Sequence, residues 1–252
     1  MGSGKRKRAK LQPSKVPVFL FTALTRKELG RAVDRGRLRA TKGEPIALYE
    51  RRGRAARDVS GPCVMLRIAA RYAAETGVAF VKGPRGRFEA VSSIPLTVVA
   101  CANLPRSIRN VERVDAAGGV VATSGDRPRV LLLLKGREQT GRWVLPKGKR
   151  RRLEPRRRAA RREVLEESGL SRVDVGKFLL RERYFDKEGG RVVFKQVSYY
   201  LMRVPKGKTR LKVSKTEGFS RGSWVSFASA LEMTNPARAH RTLRRARAAV
   251  KA

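Results

Sequence analysis

Two cysteines in 252 residues, Cys63 and Cys101, are too few for a disulfide framework or a zinc cage. Both lie inside apolar stretches and read as buried free thiols in a reducing compartment, which points to the cytoplasm. His240, the only histidine, has no partner set and reads as structural or merely exposed. Aromatic residues make up 6% of the chain, with no aromatic-basic ladder of the kind that stacks single strands. No apolar run approaches the ~20 residues that span a bilayer, so no membrane partner is expected, and the start lacks a signal-peptide core. Acids are scarce too: 21 Asp plus Glu face 60 Lys plus Arg, a net charge of +39. Such an excess costs self-repulsion and concentrates polyanions. Nucleic acid, an anionic membrane surface or a small polyphosphate would each suit it; a codon bias toward arginine, or a merely soluble surface, gives the same balance.

What is present argues for folded structure. Apolar residues reach 41%, enough for one large domain or two small ones, each with a core. Residues 1–15 open with the basic run KRKRAK and read as a disordered arm touching phosphates. In a host with a nucleus that run would suit import. Residues 16–104 read as an α+β domain, with strands at Val16–Phe21, Pro45–Tyr49, Val64–Ile68, Val78–Val81 and Leu96–Cys101. A helix opens at Thr25 and Glu28, spaced as a capping box, and closes near Gly36; a shorter one covers Ala69–Thr76. Residues 105–113 are polar and read as a linker.

From Val114 to the end the pattern is that of a second domain. Gly118–Thr123 and Val130–Leu134 read as strands of a hairpin, and Trp143–Leu145 as a short strand stopped by Pro146. Pro155 suits the first position of a helix that Gly169 ends. Phe178–Phe185 and Val192–Val204 form a strand pair around Gly189–Gly190, Trp224–Phe227 is a last strand, and Pro236–Lys251 a basic helix.

The helix carries the chemistry. Glu163, Glu166 and Glu167 stand at i, i+3 and i+4, so a helix projects all three carboxylates from one face. Acids that close repel one another, and a hard divalent cation such as Mg²⁺ or Mn²⁺ relieves the conflict through oxygen ligands. The neighbouring Arg156, Arg157, Arg158 and Arg161 make the acidic triplet stand out, and Arg162 is placed to pair with Glu166 one turn on.

The segment GKRRRLEPRRRAARREVLEESGL, Gly148 to Leu170, resembles the Nudix box, G-x5-E-x7-R-E-U-x-E-E-x-G-U with U aliphatic. All nine fixed positions are filled: Gly148, Glu154, Arg162, Glu163, Val164, Glu166, Glu167, Gly169 and Leu170. The resemblance covers roughly residues 114–249. It implies an α/β fold, a Nudix α/β/α sandwich with a mixed sheet, preceded here by the smaller α+β domain. It also implies a metal-dependent hydrolase that cuts a diphosphate linkage with water. On that pattern Glu166 and Glu167 bind metal, Glu163 is ligand or base, and the Gly148 carbonyl completes the metal shell. Arg162 orients the acids, and Glu154 binds metal through water or fixes the loop. Glu217, before Trp224, sits where many members carry a further glutamate and is a candidate catalytic base.

The flanks bear on substrate. Arg142-Trp143-Val144-Leu145-Pro146-Lys147-Gly148 is similar to the entry of Nudix members acting on dinucleoside polyphosphates and diphosphoinositol polyphosphates, and of RNA decapping enzymes. Arg142, Lys147 and Lys149 are the substrate-binding candidates, Lys147 as a point charge for a phosphate. Lys195–Leu201 resembles a strand of bacterial polyphosphate-cleaving members, but Phe194 and Ser198 stand where some members carry histidine, so no histidine-dependent feature carries over. Ten of the sixteen residues from Lys147 to Arg162 are Lys or Arg. That density suits a compact polyphosphorylated molecule, such as a dinucleoside polyphosphate or inositol pyrophosphate, or else an RNA 5′ end held by the basic surface. A non-catalytic nucleic-acid-binding protein is the third reading, against which the complete acidic set argues. Val78–Val99 resembles the closing segment of RNA 2′-phosphotransferases, which belong to the ADP-ribosyltransferase-like folds and use histidine near NAD or RNA. The front half has no histidine, so transferase activity is not expected there; a binding domain, a scaffold and a dimer contact all fit. The oligomeric state is not written in the sequence.

Overall fold

Local signals fix the first elements. In the computed structural model, which describes residues 9–39 and 45–251, strand β1 (Leu20–Thr25) runs into helix α1 (Arg26–Arg35) through the expected capping box. The Glu28 carboxylate accepts the Thr25 N–H at 2.8 Å while Thr25 Oγ1 accepts the Glu28 N–H at 3.3 Å. Gly36, at φ 67°, ends the helix. The strand starts at Leu20, four residues later than its sequence reading, since Pro17 offers no N–H to a ladder. Most of the basic run at the start lies outside the described residues.

The chain folds as two compact units. The first takes in the chain up to Glu112 together with Tyr184–Val193. It continues through β2 (Arg37–Leu38), β3 (Ile46–Leu48), α2 (Arg52–Arg57), β4 (Cys63–Ile68), α3 (Ala70–Glu75), β5 (Phe80–Lys82), β6 (Phe88–Ala90), β7 (Ile94–Pro95) and β8 (Val99–Cys101). β1, β4 and β8 pair antiparallel, and β3, β6 and β5 form a separate three-stranded sheet. Two segments read as irregular belong to this unit. The Leu11 N–H donates to Phe80 O at 2.8 Å and Pro13–Lys15 make a 3-10 turn, so the basic arm ends before Leu11. In the stretch read as a linker, Ile108 and Val111 are buried, three residues apart, as on one side of a turn. Helix α2 escaped the sequence reading because RGRAAR has no apolar repeat; it buries Ala55 alone.

The second unit comprises Arg113–Arg183 and Phe194–Ala252. From here the elements are β9 (Glu112–Ala122), β10 (Arg129–Lys135), β11 (Arg142–Val144), β12 (Lys147–Lys149), α4 (Arg156–Ser168), β13 (Asp174–Glu188), β14 (Arg191–Arg203), β15 (Phe219–Ser226), α5 (Phe227–Met233) and α6 (Pro236–Lys251), with the end of β13 and the start of β14 lying in the first unit. β13 and β14 meet at Gly189–Gly190, both at positive φ as a tight two-residue hairpin turn requires. The ladder between β9 and β10 is short, with Val130 opposite Ala122 and Thr123 bonded to Arg129, and the rest of β10 pairs with β11 and β15. The sheet is curled and mixed, with helices on both faces. Alternation along β10 sorts the two layers: Leu131 and Leu133 pack with Ala159, Ala160 and Val164 of α4, whereas Val130, Leu132 and Leu134 point to the other face, where α5 contacts β10. The strand expected over Trp224–Phe227 stops at Ser226, and Phe227 opens α5, which Ser226 caps by accepting the Ser229 N–H at 3.0 Å. Gly119 lets α4 sit close, since a Cβ there would lie 2.8 Å from Met202 Sδ and 3.0 Å from Val164 Cγ2.

Candidate functional site

The site grows from the junction of β12 and α4. Lys147, Gly148 and Lys149 pair with Gly118, Ala117 and Ala116 of β9, which pins the loop before α4 to the sheet. Asp115 holds the following residues, accepting from Arg150 Nε at 3.0 Å and Arg156 Nη2 at 2.8 Å. The chain turns at Leu153, a non-glycine residue at φ 60°. Pro155 is the N-cap, one position before its expected place, and α4 ends at Gly169 in the left-handed region. A side chain there would meet the Lys212 carbonyl oxygen at 2.2 Å.

Glu163 and Glu167, one turn apart on α4, are both buried, and with Glu217 they offer ligand oxygens within 4.8 Å of one another. The Lys147 N–H donates to Glu167 Oε2 at 2.8 Å. Burial raises the Glu167 carboxyl to about 7; Lys147 and Lys135 oppose that rise and Glu217 adds to it. Burial also lifts Glu163, against the pull of Arg162. Glycine at 148 leaves room for the Glu163 carboxylate, since a Cβ would stand 1.8 Å from Glu163 Oε2. Replacing Gly148 with alanine is therefore expected to push the Glu163 carboxylate aside and lower kcat about 10²-fold, a loss typical of a misplaced reacting group. Steady-state turnover beside a thermal melt checks this, and wild-type turnover in Gly148→Ala would rule out a close role for that carboxylate.

Arg162 organises the other acids. It grips Glu154 with Nε and Nη2, each at 2.9 Å, and donates through Nη1 to Glu163 at 2.7 Å and Glu166 at 2.8 Å. Its Nη2 also reaches the Lys149 carbonyl at 3.2 Å. The guanidinium draws Glu154 down to about 2, helped by the Arg151 N–H. Glu154 thus stands as a loop fastener. Glu166 is not one of the three residues whose ligand oxygens lie within 4.8 Å of one another; its side chain is 42% exposed and pairs with Arg151 and with Arg162 Nη1, which it shares with Glu163. Arg142 and Lys149 are exposed and Lys147 half-buried. Lys135, which sequence reasoning missed, ends β10 opposite Arg142 and acts on Glu167. Its signal was available, since a lone cation closing an all-apolar strand needs a partner or a purpose. His240 is buried on α6 and is not a member of the acidic group.

A helix presenting clustered carboxylates to a glycine loop, on a curled sheet between helical layers, defines a pyrophosphohydrolase class. The chain belongs to the NUDIX domain family, which matches residues 112–246. Nudix hydrolases generally use divalent metal ions. The chain is similar to an Ap4A hydrolase of C. elegans at 24% identity and TM-score 0.45, the match covering 55% of this chain and 98% of that one. It is similar to the MutT protein from Methanosarcina mazei Go1 at 23% identity and TM-score 0.42, over 55% and 96% of the two chains. It is also similar to the NUDIX domain of Shewanella oneidensis NrtR, solved with ADP ribose, at 16% identity and TM-score 0.42, over 59% and 95%. Among the described residues no helix is long and apolar enough to cross a membrane.

Proposed function

We propose that this protein is a divalent-metal-dependent hydrolase that cleaves a diphosphate linkage in a compact polyphosphorylated molecule, of the dinucleoside polyphosphate or inositol pyrophosphate class. The observation that carries the reading is the carboxylate group of Glu163, Glu167 and Glu217, two of them buried, within 4.8 Å of one another. Hard oxygen donors packed this closely fit Mg²⁺ or Mn²⁺. Glu163, Glu167 and Glu217 would hold the ion, with the Gly148 carbonyl as a further donor and Glu166 at its outer edge. When bound, the ion supplies Lewis-acid polarisation of the phosphoryl oxygens.

The remaining work falls to the chain. The Lys147 N–H fixes the Glu167 rotamer, and Arg162 fixes Glu163, so both carboxylates are oriented before substrate arrives. Arg142, Lys147, Lys149 and Lys135 offer cations on the β11–β12 side for the negative oxygens of the substrate. Glu163 or Glu217 takes the proton from the attacking water, and burial raises Glu163 in the direction a base at neutral pH requires.

The test is a turnover panel with diadenosine tetraphosphate, a diphosphoinositol polyphosphate and 5′-triphosphorylated RNA, each with Mg²⁺, with Mn²⁺ and with EDTA. The expected result is metal-dependent cleavage with a higher kcat/KM for a small molecule than for RNA. Faster cleavage of RNA ends would replace the substrate class, and absence of turnover with either metal would defeat the reading.

A further inference from the structure

We propose that the first unit carries a second anion site, separate from the acidic cluster, that binds the phosphate monoester of a nucleotide. Four arginines, Arg54, Arg57, Arg85 and Arg87, line a concavity of roughly 530 Å³ together with Tyr49, Asp58 and Pro84. That volume lies within the range of small-molecule sites, about 300 to 1,000 Å³. In so basic a chain, arginines side by side would mean little. Here the Arg87 side chain is anchored and the backbone at Arg85 is fixed by a closed turn.

Arg87 donates through Nε and Nη2 to a single oxygen of Glu89, at 2.9 and 2.8 Å, and Glu89 is 3% exposed. Gly83 makes room for that carboxylate, since a Cβ on it would stand 2.7 Å from Glu89 Oε1. The turn is closed at both ends, by Gly83 N–H to Arg87 O at 2.9 Å and Arg87 N–H to Pro84 O at 3.2 Å. It places Arg85 at φ 54°, in the left-handed region, where a non-glycine residue is strained. A glycine would hold the same turn without strain, so the turn itself does not require the Arg85 side chain. The Tyr49 hydroxyl donates to Asp58 on the facing wall.

Four guanidiniums meet two carboxylates, Asp58 on the wall and Glu89 behind it, leaving an excess of two positive charges. A phosphate monoester near neutral pH carries close to two negative charges and offers three acceptor oxygens to planar donors. The site does not depend on the hydrolase reading above, and none of its residues belongs to the second unit.

The test uses the full-length protein in EDTA and titrates adenosine 5′-monophosphate, which has no diphosphate linkage to cut, against adenosine by calorimetry. Arg57→Gln/Arg85→Gly is compared with the charge-matched Arg244→Gln/Arg245→Gln on α6. Expected are one saturable site for the monophosphate, none for adenosine, and affinity reduced at least about tenfold in the first variant alone. Turnover of the substrate found in the panel should be unchanged in both. Equal weakening by both variants would mean that net charge, not the pocket, attracts the ligand, and unchanged affinity in Arg57→Gln/Arg85→Gly would overturn the site. A 5′-phosphorylated trinucleotide and its 5′-hydroxyl form separate the sources. Tighter binding of the phosphorylated trinucleotide than of the mononucleotide assigns the pocket to a chain end, equal binding assigns it to a free nucleotide, and no preference for the phosphate over the hydroxyl end rejects it.

Discussion

Glu167→Gln is expected to lower kcat by about 10³-fold or more, the scale of several kcal/mol of lost charge stabilisation, while the protein stays folded. Glutamine keeps an oxygen to accept the Lys147 N–H, so the loop before α4 retains its anchor. It removes the charge that Glu163 and Glu217 share with Glu167. Metal-free stability supplies an independent check. The folded-state Glu167 carboxyl lies at about 7, against an ordinary 4.5, because burial disfavours its ionised form. Between those values the folded protein binds more protons than the unfolded chain, so stability in EDTA falls as pH rises through that window. Glu163, also raised by burial, acts in the same direction. Thermal melts from pH 5 to 8 should slope downward in the wild type and less steeply in Glu167→Gln, with added Mg²⁺ raising the wild-type curve most at the alkaline end. Full turnover in the variant, or a pH slope identical to that of the wild type, would remove Glu167 from the centre of the site.

How far the site was legible follows from which forces set each position. Spacing alone put Glu163 and Glu167 on one side of α4, since i and i+4 share a face in any helix. The same rule grouped Glu166 with them; a helix face is wide, and that side chain, 42% exposed, pairs with Arg151 and with Arg162, which also binds Glu163. Glu217 joins from a loop some fifty residues away, a proximity that only the sheet creates; its position relative to the family pattern flagged it, and its spacing could not. Lys135 could be flagged as a cation closing an apolar run, but its partner Glu167 lies about thirty residues on and acts with it only in the folded structure. In the fold, long periodic elements such as α6 and the β13–β14 hairpin announced themselves. The short helices α2 and α5 did not, because each is held by packing at a few residues, Ala55 in one and Phe227 and Ala230 in the other. Nor could sequence show that Tyr184–Val193, the end of β13, its turn and the start of β14, belongs with the first unit while the rest of both strands lies in the second.

Arg162→Ala is expected to be the most damaging single change to stability in the site, at about 3 kcal/mol, the order seen when one partner of a mostly buried ion pair is removed. The side chain is 17% exposed, and it holds Glu154 and Glu163, whose side chains are 11% and 8% exposed. Without it three carboxylates, counting Glu166, lose their shared cation, and the Lys149 carbonyl loses a donor. Arg162→Lys should recover only part of this, because one ammonium cannot reproduce the two-pronged grip on Glu154 while also reaching Glu163 and Glu166. Urea denaturation in EDTA and in saturating Mg²⁺ separates two contributions. If Glu163 takes part in holding the ion, added Mg²⁺ offsets some of its lost compensation, so the deficit of the alanine variant should shrink, while the part owed to Glu154 persists. Turnover should fall as well, since Glu163 loses the contact that sets its rotamer. A variant as stable as the wild type in EDTA would mean that water screens these pairs, and that the acidic cluster does not depend on Arg162 for its order.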